Sequence, residues 1–159
     1  MSTLFSYNPK KMIKSCIVHK TNKNYKIITQ SWTDIGLRLS TEPIFILPLD
    51  CKIEDLLESI FKSLAGTKEN VIAPLEKEEY KKYVKKMISL LKEKSFDSLD
   101  KNSSSCNISQ ENERLVITPY TYTVKGGSTL IEEEKVEFNL VDHIKEEIVL
   151  KVIEILDKF

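Results

Sequence analysis

Two histidines, three cysteines and a cluster of glutamates are the residues of this 159-residue chain best suited to chemistry. His19 and His143 are its only imidazoles, so a histidine base or metal ligand must be built around one of them. Cys16 and His19 stand three apart, which on a strand turns them to opposite faces and disfavours a shared metal. Asp142 and His143, followed by Glu146 and Glu147, have the composition of an acid–base group. The same acids also suit the positive end of a helix, which accounts for them without catalysis. The glycines (Gly36, Gly66, Gly126 and Gly127) fit neither the dinucleotide fingerprint nor the phosphate-binding loop, and no GxSxG elbow is present. Cys16, Cys51 and Cys106 form no CxxC pair and are odd in number, so they read as reduced, incidental thiols. The expectation is a protein with no metal, no cofactor and no enzymatic activity.

The remaining acids point to a partner rather than a reaction. Glu132, Glu133, Glu134 and Glu137 fall in a stretch that reads as one strand, where Glu132 and Glu134 share a face and Glu133 and Glu137 take the other. Acids concentrated in this way can meet a basic protein surface and speed encounter with it. The competing reading is an edge strand charged against aggregation.

Charge and length limit the partners. The chain carries 24 basic and 24 acidic residues, unlike the basic excess of a dedicated nucleic-acid binder. The balance is uneven along the chain: six lysines and no acid precede Asp34, whereas the last third is acidic. No run is apolar enough to span a membrane, and the N-terminus lacks the pattern of a secretory signal. The length suits a single domain, residues 1–159, with a core that needs no disulfide or metal. A cytoplasmic protein that engages neither nucleic acid nor membrane is expected.

The periodicities supply the scaffold. Residues 13–32 read as a hairpin turning at Thr21–Asn24, with neither face cleanly polar. The apolar run Ile44–Leu47 between two prolines reads as a short buried strand or extended segment. Ile53, Leu56, Leu57, Ile60, Phe61 and Leu64 form one helical face, with Asp50 as cap and Gly66 as a left-handed stop. A second helix over 77–94 directs Tyr80, Tyr83, Val84, Met87, Ile88 and Leu91 inward and its lysines outward. The polar stretch 95–106 reads as a loop leading into an edge strand. Residues 115–124 form a strand, Gly126-Gly127 a turn and 130–138 the return strand. A last helix runs from about Leu140, capped by Asn139, with Val141, Ile144, Ile148, Val152, Ile155 and Phe159 inward. The fold class is α+β, an antiparallel sheet packed with about three helices. Ile17, Leu57, Ile60, Phe61, Val84, Ile88, Ile117, Ile148 and Val152 are the expected core.

Ser40-Thr41-Glu42-Pro43 and the run on to Asp50-Cys51, leading into the helix from Ile53, resemble the bacterial contact-dependent growth inhibition immunity family. The resemblance extends by layout over most of the chain and by motif over Leu39–Ile60, with Lys52 standing where a small capping residue is expected. It implies a small cytoplasmic protein without catalytic residues. Such a protein binds and blocks the C-terminal toxin domain of a cell-surface effector, often a nuclease. An adaptor of unrelated function and a small enzyme built on His143 are the alternatives.

Overall fold

The computed structural model describes residues 12–158. The described strands are β1 (Lys14–Lys20), β2 (Asn24–Trp32), β3 (Arg38–Pro48), β4 (Ser104–Glu111), β5 (Arg114–Thr123), β6 (Gly127–Leu130) and β7 (Val136–Asn139). The helices are α1 (Ile53–Ala65), α2 (Lys77–Leu91), the short α3 (Phe96–Lys101) and α4 (Lys145–Lys158). One antiparallel sheet runs in the order β3-β2-β1-β4-β5-β6, with β7 pairing the first half of β5. This is the expected α+β class.

Helices cover both faces of the sheet. On one face α1 and α4 bury Cys16, Val18, Ile27, Cys106, Ile108 and Ile117 against Leu56, Ile60, Ile148 and Val152. On the other, α2 and α3 close a smaller cluster of Ile28, Met87, Leu91 and Leu99. Burial on both sides explains why the first hairpin alternates so poorly: seven consecutive residues of β2 are buried. Ser59 and Ser63 of α1 are also buried, and the Ser63 hydroxyl lies 2.7 Å from that of Thr29. Small side chains there let the helix sit close to the sheet.

Several expectations need correction. The segment 44–47 is part of an eleven-residue strand, β3, whose register against β2 shifts between Ile28 and Thr29 so that Glu42 and Pro43 lie outside the ladder. Asp50 does not cap α1; Lys52 holds that position without a side-chain bond. Gly66 ends α1 with φ −82°, not left-handed. It is needed for space, because a β-carbon there would meet Pro43 Cδ at 2.4 Å. The polar stretch 95–106 contains α3 and the start of β4, which lies inside the sheet between β1 and β5. β4 tolerates burial because its polar groups are satisfied: Ser15 Oγ donates to Asn107 Oδ1 at 3.1 Å and Arg38 Nη1 donates to it at 3.3 Å. Among the described residues no buried side-chain polar atom lacks a partner.

The C-terminal third differs most. The return strand is broken into β6 and β7 by a 3₁₀ turn at Glu132–Glu134. Pro119 of β5 accepts the Ile131 N–H at 2.8 Å but has no N–H to give back, and the partner chain leaves the ladder there. The last helix begins at Lys145, not near Leu140. Asn139 instead closes a turn, its Oδ1 accepting the Val141 N–H at 2.9 Å. Val141 and Ile144 precede the helix and are 69% and 61% exposed, while Phe159 lies outside the described residues. Of the expected core, Ile60, Ile117, Ile148 and Val152 are buried, but Ile17, Leu57, Phe61, Val84 and Ile88 are only half-buried.

Candidate functional site

The four glutamates do not share a strand. Glu132, Glu133 and Glu134 follow one another around the 3₁₀ turn, and Glu137 alone lies on β7. Glu137 is engaged by Arg114 across the β5–β7 ladder, with Nε 3.2 Å from Oε2. The hydrogen bond from this guanidinium holds the Glu137 carboxyl below its usual range. Glu134 reaches Lys158 Nζ at 3.9 Å. Glu132 and Glu133 are exposed and form no ion pair among the described residues.

The histidines occupy contrasting places. His19 on β1 is buried, and its Nδ1 lies 2.9 Å from Ser103 Oγ. The Ser103 hydroxyl donates to Leu99 O at 2.6 Å, so its oxygen is left to accept the Nδ1–H of His19. Desolvation, with the Lys26 charge beside it, pushes the imidazole pKa down to about 3 and keeps it neutral. His143 is half-buried in the turn before α4, with Nδ1 3.1 Å from Glu147 Oε2 and its ring edge-on to Phe138 at 5.2 Å. That pair offers one surface acid–base couple. Among the described residues no three His, Cys, Asp or Glu side chains are placed to hold a metal ion.

The cysteines are free, with Cys16 and Cys106 buried. Burial pushes the Cys16 thiol up to about 12 and raises that of Cys106 as well, which removes thiolate character from both. Their role is packing against α1 and α4.

Two surface features were not legible as surfaces from the sequence. Helix α2 carries two adjacent apolar rows: Tyr83, Met87 and Leu91 pack towards the sheet, whereas Tyr80, Val84 and Ile88 line an open groove with Lys81, Lys85 and Lys94. The signal was the width of the stripe, six apolar positions on a helix that meets the sheet on one side only. The second feature is an apolar end at which the β2–β3 and α1–α2 connections are clipped together. Asp34 N–H donates to Val71 O at 2.8 Å and Val71 N–H to Trp32 O at 3.1 Å, and Ile35, Leu37, Ile72 and Leu75 stand exposed around them. No sequence periodicity marks it.

Known proteins match this frame. A structure of a Neisseria meningitidis protein of unknown function superposes with TM-score 0.73 at 24% identity, covering 96% of this chain and 98% of that one. A chain from the CdiA-CT/CdiI toxin and immunity complex of Yersinia pseudotuberculosis superposes with TM-score 0.70 at 16% identity, covering 92% and 97%. No curated protein matches. The family model described as CdiI, CDI immunity protein, matches residues 14–152, from the first residue of β1 into α4. The chain therefore belongs to the CDI immunity protein family.

Proposed function

We propose that this protein binds the C-terminal toxin domain of a contact-dependent growth inhibition effector and neutralises it in the cytoplasm by occlusion. The observation that carries this reading is the family match, which takes in every described strand and most of the last helix. The chemistry of the chain is consistent with it. Burial keeps the Cys16 thiol protonated and makes the His19 imidazole a weak base, and His143 is paired with a single glutamate. The toxin is a protein, and a nuclease is the class that the sequence resemblance implies. Two surfaces of this chain are candidates to meet it, the acidic turn at Glu132 and Glu133 and the groove along α2.

Co-expression with the toxin domain encoded beside it is the direct test. The expected result is an equimolar complex on gel filtration and restored growth of cells making the toxin. Continued killing despite a folded, abundant protein sinks the reading.

A further inference from the structure

We infer that the groove along the outer side of α2 is the docking site for the toxin domain, and that it takes an apolar tip carried on an acidic surface of that domain. This rests on the proposed function. The floor of the groove is the row Tyr80, Val84 and Ile88, and its rim is Lys81, Lys85 and Lys94, enclosing an open cleft of about 490 Å³. Tyr80 is 52% exposed. Residues spaced by four on one helix face would be covered in a closed fold, yet here the inward row alone meets β2 and β3.

The charges identify the occupant. Lys85 and Lys94 make no ion pair among the described residues, and neither does Lys92 at the end of the helix. Of the nearby acids, Glu78 lies 3.9 Å from Lys81 Nζ and Glu93 is held by Lys26. An apolar floor whose rim carries two unpaired lysines, Lys85 and Lys94, complements apolar side chains flanked by carboxylates. It repels the phosphate-binding cleft of a nuclease, so the toxin docks here through an acidic exterior surface and not through a mimic of its substrate.

The groove is built to be rigid. Lys26 fixes the C-terminal end of α2 to the sheet through Leu91 O at 2.6 Å, and Tyr83 OH donates to Ser40 O at 2.7 Å on the opposite flank. A docking surface held in this way loses little entropy on binding.

The test is binding of the purified neighbouring toxin domain, followed by calorimetry and by association kinetics across a salt series. The double variant Lys85→Glu with Lys94→Glu changes exposed side chains only, and should slow association about tenfold and flatten its salt dependence. Ile88→Asp should weaken the complex about 30-fold or more, with melting curves confirming that the variant is folded. Glu132→Lys with Glu133→Lys tests the other candidate surface and should change binding less than either groove variant. Wild-type binding that survives both groove changes overturns the inference, as does loss of binding confined to the Glu132 and Glu133 variant. Groove variants that lose affinity for a tRNA or for anionic phospholipid vesicles while keeping the toxin also overturn it, in favour of that other partner. Failure of the wild type to bind toxin overturns the proposed function itself, a result distinguishable from either.

Discussion

Lys26, on the interior strand β2, is 2% exposed and forms an ion pair with Glu93, the second residue beyond α2. Its Nζ also donates to the Leu91 carbonyl at the helix end, where the dipole favours a cation. Lys92 between them adopts φ 56°, which turns the chain so that both acceptors face one ammonium. Lys26→Met should therefore leave Glu93 and a helix carbonyl without their donor and cost about 3 kcal/mol, the low end for a broken buried pair because Glu93 keeps some solvent. Urea denaturation measures it. Adding Glu93→Gln should recover part of the loss.

Acid sensitivity should come in part from His19. Its pKa is about 3 when folded against 6.5 for a free imidazole, so between these values the unfolded chain binds a proton that the folded chain refuses. Stability is then complete above the unfolded value and falls as pH drops, by up to about 1.4 kcal/mol per pH unit. Urea melts from neutral pH down to about pH 4.5 should show this slope, and His19→Gln should flatten it. An unchanged slope in the variant assigns the acid sensitivity to carboxylates instead.

Gly66→Ala should destabilise the protein by about 1–3 kcal/mol through overpacking, because the new methyl group would overlap Pro43. The backbone at Gly66 is ordinary, so the loss comes from space alone. Gly36→Ala is the contrasting case. There a methyl group meets nothing within 4 Å but φ is +79°, and about 1–2 kcal/mol of backbone strain is expected. Thermal melts of the two variants check both values.

Truncations along α1 should sort by depth. Ile60 is fully buried against the sheet, and Ile60→Ala should cost about 2–5 kcal/mol. Leu57, half-buried at the side of the same core, should cost less when changed to alanine. Equal losses would place Leu57 deeper than its surroundings show.

The elements with clean periodicity were legible in the sequence, and those whose shape depends on distant partners were not. The hairpin of β1 and β2 and the helix face of Leu56, Ile60 and Leu64 follow from local spacing. The start of β4 was hidden because Ser104 and Ser105 belong to a polar stretch that reads as loop, while Ser15 and Arg38, far away in sequence, make burial of Asn107 acceptable. The acid row was assigned to a strand because nothing local reveals that Pro119 withholds a donor from the chain opposite it. Val84 and Ile88 carry the pattern of core residues. Only the placement of α2 along β3 shows that the sheet does not reach them.

The joining of β1 to β4 has a consequence for the order of folding. This seam pairs residues 14–20 with residues 104–110, and the Ser15–Asn107 bond spans 92 positions. Closing so long a loop must precede any reward from the contacts it makes, which slows the step relative to the local hairpins. During synthesis β1, β2, β3 and α1 emerge first, with Cys16 and Val18 lacking the β4 neighbours Ile108 and Cys106 that border them in the sheet. The half-sheet thus waits as an incomplete template while the helices and β4 are made. The sheet is complete only after that strand has been translated and docked.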